Sequence, residues 1–237
     1  MAESDRIPVK RRRRRPTRTG TVLSEELIIA AALELIEAPG GNALTVRRLG
    51  EALGCDPSAV YRYFADTDTL LLAVADKLID DSLAGFAPGQ DWAASLRDFG
   101  MRVHSSVLRH PRLAAVRASR VTAGPAESRA LDTGIGILLQ AGFGPAEAVR
   151  HYRMVIDTVL AHAAVDADVR DLSEQQRDQE SRAWQELNSH LPAEQYPNLH
   201  RVREHLHLMD GSPFLDTLDA LLAHLAVLRR EQSAPTA

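Results

Sequence analysis

Pro57, Ser58, Ala59, Tyr61, Arg62 and Tyr63 fall within seven consecutive positions, and together they suit the edge of a nucleic acid. An arginine pairs bidentately with guanine, a serine hydroxyl donates to a base or a phosphate, and an alanine methyl meets the thymine methyl. The tyrosine hydroxyls suit phosphate oxygens. Thr45 and Arg47 stand at an expected helix start, where backbone N–H groups and a cation both favour phosphate. A second basic group precedes them, with Arg6, Lys10, Arg11, Arg12, Arg13, Arg14, Arg15 and Arg18 in one stretch. That stretch reads as an arm that follows a phosphate backbone or enters a minor groove; the bland alternative is a solvated tail.

Positioning these groups requires short, well-capped helices. Thr45 can cap a helix whose inward side is Val46, Leu49, Ala52 and Leu53, and Gly54 stands where a left-handed terminating residue is wanted. Asp56 then restarts the chain with Pro57 at the first helical position, so the next helix is expected from Pro57 to about Phe64, with Val60 and Phe64 as core. Two helices joined by a short glycine-containing turn make a helix-turn-helix, whose second helix enters the major groove. Ahead of it, Ser24 caps a helix bearing Leu27, Ile28, Ala31, Ala32 and Leu35, stopped by Pro39-Gly40-Gly41. Behind it, Asp66 caps a further helix along Leu70, Leu71, Val74, Leu78 and Ile79 to about Gly85.

The rest of the chain also reads as helices. Breaks are expected at Pro111, Gly124-Pro125, Gly142 to Pro145, Pro192, Pro197 and Gly211 to Pro213. Trp92, Leu96, Phe99, Val103 and Val107 share one helical face, and Ala148, Tyr152, Val155, Ile156, Val159 and Leu160 share another. A final helix from about Phe214 to Arg230 carries more leucine than one neighbour needs, so part of it should meet a second subunit. Between Asp166 and Arg182 the composition turns charged, and a mobile connection is expected there that passes into a helix around Trp184. The organisation is therefore all-α: a basic arm at 1–20, a helix-turn-helix domain at 21–66, a connecting helix at 67–86, a larger helical domain at 87–230 and a tail at 231–237.

Composition narrows the function class. At 237 residues with 45% hydrophobic content the chain can bury a substantial core. No stretch reaches the roughly 18 uninterrupted apolar residues of a membrane span, and Glu25, Glu26, Glu34 and Glu37 break any leader-like core. A single cysteine, Cys55, excludes an internal disulfide framework and suits a reducing cytoplasm. The net charge of -4 conceals an asymmetry: net +3 up to Phe64 and net -7 beyond it. A basic front on an acidic chain places nucleic acid at one end.

The run Ile28-Ile29-Ala30-Ala31-Ala32-Leu33-Glu34-Leu35, followed by Leu44-Thr45-Val46-Arg47-Arg48-Leu49, Gly54, Val60-Tyr61-Arg62-Tyr63-Phe64 and Leu70-Leu71, resembles the N-terminal domain of TetR-family transcriptional regulators. Gly142-Phe143 and Asp210 to Leu222 resemble, more weakly, the ligand-sensing domain of the tetracycline-repressor branch. The resemblance implies an all-helical homodimer that binds a roughly palindromic operator and usually represses until an inducer spreads its two heads. Dimerisation would use helices at about 145–164 and 213–230. Thr67 stands where the family commonly has a phosphate-binding lysine, Gly50 where it commonly has alanine, and Arg117 where tetracycline repressors hold magnesium through a histidine. Magnesium-tetracycline binding is therefore not carried over, and neither a cofactor nor a metal is expected.

A sensor cavity needs apolar walls with a few polar groups. Phe99, Met101, Val103, His104, Leu138, Tyr152, Ile156 and Trp184 are the candidate lining, each weighed against ordinary core packing. Enzyme chemistry finds little support. His200, His205 and His207 with Glu204 lack a metal-binding register, Ser105-Ser106 beside His104 lacks a nucleophile elbow, and Gly134-Ile135-Gly136 lacks the third glycine of a dinucleotide loop. Two alternatives remain open: a regulator of the same fold governed by a protein partner or by abundance, and a helical enzyme.

Overall fold

The computed structural model describes residues 22–38, 44–189 and 192–233, and every element among them is helical. The arginine arm, Arg11 to Arg15 included, lies outside the described residues. Two compact units divide within one helix, between Val74 and Ala75.

In the first unit, α1 spans Glu25–Glu37, and Ser24 opens it by accepting from the Leu27 N–H at 3.2 Å. Ile28 and Ala32 bury one face. α2, Val46–Leu53, packs on α1 and begins at Thr45, whose hydroxyl oxygen accepts from the Arg48 N–H at 3.3 Å. Gly54 ends it at φ 61°, a left-handed conformation in which a side chain would be strained. Leu49 and Leu53 are buried as expected, but Ala52 is exposed and Gly50 is buried in its stead. The reason is the turn: a Cβ at Gly50 would stand 3.0 Å from the Cys55 carbonyl oxygen and 3.1 Å from Pro57 Cγ. Glycine lets the turn fold back against α2, which outweighs its lower helix propensity.

The segment expected as a helix to Phe64 is a 3-10 helix at Pro57–Arg62. Seven residues between the Asp56 cap and the inward-turning Phe64 are too few for a stable α-helix, and they close i+3 bonds such as Ala59 N–H to the Asp56 carbonyl at 2.8 Å. α3, Thr67–Ser82, follows, with the Asp66 carboxylate accepting from the Thr69 N–H at 2.7 Å.

The second unit is built round α7, Pro145–Asp171, which packs against α4 (Trp92–Arg109), α5 (Ala114–Ser119), α6 (Pro125–Gln140) and α10 (Phe214–Ser233). Phe99, Leu138, Tyr152, Val159 and Leu218 form the middle of its core. Short 3-10 turns occupy Pro111–Leu113 and Arg203–Met209, and α9 spans Pro197–Val202. The connection expected to be mobile between Asp166 and Arg182 is helical: α7 runs to Asp171 and α8 covers Glu174–Ser189. No glycine or proline interrupts residues 146–189, and Ser173 with Gln176 forms a reciprocal cap, Ser173 N–H to Gln176 Oε1 at 2.9 Å and Gln176 N–H to Ser173 Oγ at 3.3 Å. A charged composition is compatible with a solvated helix once its ends are capped.

Candidate nucleic-acid interface and ligand cleft

The 3-10 helix divides its side chains between a buried and an exposed side. Val60 and Tyr63, three apart, turn inward; Pro57, Ser58, Tyr61 and Arg62 are exposed, Tyr61 by 54%. Ala59, expected to reach a thymine methyl, is only 7% exposed and belongs to the core. Tyr63 is corrected as well: its hydroxyl donates to the Leu23 carbonyl at 2.6 Å, which ties the end of the reading element to the start of α1. Of the two tyrosines, Tyr61 is therefore the one whose hydroxyl is available to a phosphate. Tyr63→Phe is expected to cost about 1 kcal/mol of stability, read as a lowered thermal midpoint, while operator affinity changes less than about twofold.

Arg62 makes no ion pair among the described residues, so its guanidinium is uncommitted. Arg47 pairs with Glu51 one turn along α2 at 3.1 Å, in an exposed setting where such a pair is easily exchanged for a phosphate. Asp56, whose carboxylate accepts from Ser58, is held below the usual carboxylate range by that hydrogen bonding. It therefore stays an acceptor while the restart of the chain is in place.

In the second unit a cleft of about 1160 Å³ opens between α4, α7, α8 and the approach to α10. Of the eight side chains proposed for a sensor, Met101, His104 and Trp184 line it. Phe99, Val103, Leu138, Tyr152 and Ile156 instead pack in the core, because their positions on α4, α6 and α7 face neighbouring helices. Tyr152 shows the consequence of that burial: its phenol is pushed up to about 12, chiefly by desolvation. The sequence reading missed Asp166 and Ser212. His104 Nε2 lies 2.8 Å from Asp166 Oδ2, and the Ser212 hydroxyl donates to the same oxygen at 2.6 Å. With the carboxylate accepting from both, the proton sits on His104 Nε2.

The His104 ring also stacks on Phe214, centroids 3.8 Å apart and planes 3° from parallel. One carboxylate thus gathers α4, α7 and the approach to α10 in a cleft that also presents apolar side chains such as Met101, Leu108, Val165 and Trp184, the combination that orients a bound organic molecule. Residues 46 and 62 apart along the chain carry no local signal of this pairing. Arg117 does not face the cleft. It is buried, donates from Nη1 to the Ser106 hydroxyl at 2.9 Å, and its guanidinium is lowered to about 10, first by burial and then by Arg109.

Two family models match the chain, one in each part. Residues 28–74 match the model described as bacterial regulatory proteins, tetR family, and residues 85–228 match the tetracyclin repressor-like C-terminal domain. The tetracycline repressor protein class G of Vibrio anguillarum is 31% identical over 168 residues, 65% of this chain and 79% of its own. An HTH-type transcriptional regulator of Saccharopolyspora erythraea is 25% identical over 151 residues, 64% of each chain. ActR of Streptomyces coelicolor, solved in complex with actinorhodin, has the same fold at a TM-score of 0.71 and 24% identity, covering 86% of this chain and 95% of its own. The chain belongs to the tetR family of bacterial regulatory proteins and carries that family's tetracyclin repressor-like C-terminal domain.

Proposed function

We propose that the protein is a homodimeric cytoplasmic repressor that leaves a palindromic operator when a small molecule enters the cleft between α4, α7 and α8. The carrying observation is the exposed, uncommitted Arg62 and Tyr61 on a 3-10 helix stapled at its far end by Tyr63. Tyr61 and Arg62, with Pro57 and Ser58, supply base and phosphate contacts; Thr45 and Arg47 add phosphate contacts. Val149, Met154, Leu215 and Val227 are large apolar residues left exposed on α7 and α10, which supports pairing of two copies through those helices. Two heads about 34–36 Å apart then enter successive major grooves.

A ligand in the cleft needs only to favour a different head spacing by a few kcal/mol to empty the operator. The known relatives support this reading: the class G relative is a tetracycline repressor, and ActR, of the same fold, is solved with actinorhodin. No described helix is long and apolar enough to cross a membrane. A thermal-shift panel of metabolites and antibiotics, followed by DNA release with each hit, tests the inducer. Hits that raise the midpoint and release DNA are expected; the absence of any such hit favours control by a protein partner or by abundance.

The arm at 1–18 supplies the non-specific part of the affinity in place of the phosphate contact that Thr67 cannot make. Each phosphate it neutralises contributes a slope of about -0.9 in log K against log salt. Deletion of residues 1–18 is expected to flatten that slope by several units, roughly one for each arginine engaged, and to preserve operator preference. An unchanged slope removes the arm from the interface.

A further inference from the structure

The N-cap of α6 is Gly124, which has no side chain to accept from the first turn; Glu127 reaches back to the Ala123 N–H at 2.9 Å but leaves the Ala126 and Glu127 N–H groups unmet. The cap comes from another helix. Asp76, on α3, accepts from the Ala126 N–H at 3.1 Å and the Glu127 N–H at 3.0 Å, and from the Thr122 hydroxyl at 2.8 Å. Glycine at 124 makes the approach possible, since a Cβ there would lie 2.2 Å from Asp76 Cγ. One turn further on, Arg129 of α6 pairs with Asp80 of α3 at 2.6 Å. A third link runs from α4: the Ser106 hydroxyl donates to the Leu78 carbonyl of α3 at 3.3 Å, while the neighbouring His104 and Ser105 line the cleft.

Carboxylates at helix N-termini are favoured by the unpaired N–H groups and by the dipole, but a local serine or aspartate meets that need. A cap borrowed from α3 does more than stabilise α6. The first turn of α6 cannot move without either breaking charge-assisted hydrogen bonds or carrying α3 with it. α3 in turn begins at Thr67, directly after the Pro57–Arg62 reading element and Phe64.

We propose that Asp76 is a positioning residue, a cross-helix cap through which α6 and the body of the sensor domain hold the helix that leads to the DNA-reading head. The proposal rests on the repressor reading above. It assigns Gly124 the role of admitting the carboxylate and Thr122 that of orienting it. The Asp80–Arg129 pair, exposed on both sides, is an auxiliary contact.

Asp76→Asn keeps the shape and replaces one accepting oxygen with a donor that faces the α6 N–H groups. Thr122→Val, which removes the hydroxyl shared by Asp76, Glu127 and the Gly124 N–H but leaves the Asp76 carboxylate on the α6 N–H groups, is the milder variant should Asp76→Asn fail to fold. Ser128→Ala is the control: it takes away the hydroxyl that donates to the Gly124 carbonyl within α6 and touches no part of α3. Peptide-resolved hydrogen exchange on the full chain, without DNA, is read at 122–128 and at 67–74. Asp76→Asn is expected to raise exchange about fivefold or more in both segments, and Ser128→Ala in the first alone. On a palindrome selected by the wild-type protein, well below the thermal midpoints, Asp76→Asn is expected to weaken binding about tenfold and Ser128→Ala less than twofold. Faster exchange confined to 122–128, or unchanged operator affinity in a folded Asp76→Asn protein, makes Asp76 a merely structural cap and overturns the proposal. If the wild-type protein selects no palindrome, the repressor reading fails, and the exchange at 67–74 still decides the role of Asp76.

Discussion

Gly134→Ala is expected to destabilise the protein by about 2–3 kcal/mol, whereas Gly136→Ala, two residues along the same helix, is expected to stabilise it by about 0.5–1 kcal/mol. A Cβ at 134 would lie 2.2 Å from Tyr152 Cε2 and 2.6 Å from Cδ2, and a Cβ at 136 would meet nothing within 4 Å. Tyr152 cannot step aside. Its ring is 6% exposed and meets Phe99 edge-on at 6.3 Å between centroids, in the middle of the core that joins α4, α6 and α7. Overpacking there displaces a rigid aromatic group or parts two helices, a cost that exceeds the propensity gained. Thermal denaturation followed by circular dichroism should show a midpoint lower by roughly 4–10 °C for the first variant and higher by roughly 1–4 °C for the second. Equal shifts of the same sign would contradict the close α6–α7 approach.

Arg62→Ala is expected to weaken operator binding by roughly tenfold to a hundredfold, corresponding to the loss of one bidentate base contact, and to relax sequence preference at the base pair it reads. Its thermal midpoint should stay within about 1 °C of the wild-type value, since an exposed arginine that makes no ion pair among the described residues contributes little to stability. Arg62→Lys keeps the charge and loses the planar fork, so it should retain the salt slope while losing most of the preference. An affinity unchanged in both variants would move base reading to another side chain.

The two effects differ in how far they were readable from residue types. Caps are local chemistry, and Ser24, Thr45, Asp56, Asp66 and Gly54 each announce themselves within three or four positions of the groups they satisfy. The choice between 3-10 and α geometry at Pro57–Arg62 is not local in that sense, and it reassigns side chains. Val60 is buried, Tyr63 is tied to the Leu23 carbonyl and Tyr61 stays outside, so two tyrosine hydroxyls that are alike by residue type take different partners. Gly50 illustrates the same limit. As a helix residue it looks like a weakness, and only the return of Pro57 to within 3.1 Å of its would-be Cβ explains it.

The cleft was legible only in outline. Apolar periodicity located α4 and α7, and of the side chains on them it could not say which face the core and which face a cavity; five of the eight candidates face the core. The polar centre at Asp166 is formed by partners drawn from three separate elements, and the Asp76 cap on α6 spans 50 residues. Such pairings depend on tertiary packing, for which a single sequence contains no periodic mark. The charged stretch after Asp166 is helical for a local reason: the reciprocal Ser173–Gln176 cap restarts the helix, and its charged side chains stay solvated.

Selection from random duplex DNA by the purified full-length chain, at physiological salt, tests the central claim most directly. The account predicts enrichment of a palindrome whose half-sites are centred one helical turn apart, about 10–10.5 base pairs, or a multiple of that spacing. It also predicts that Arg62→Ala loses most of the enrichment. Recovery of no palindrome, or of the same palindrome with equal strength by Arg62→Ala, would contradict it.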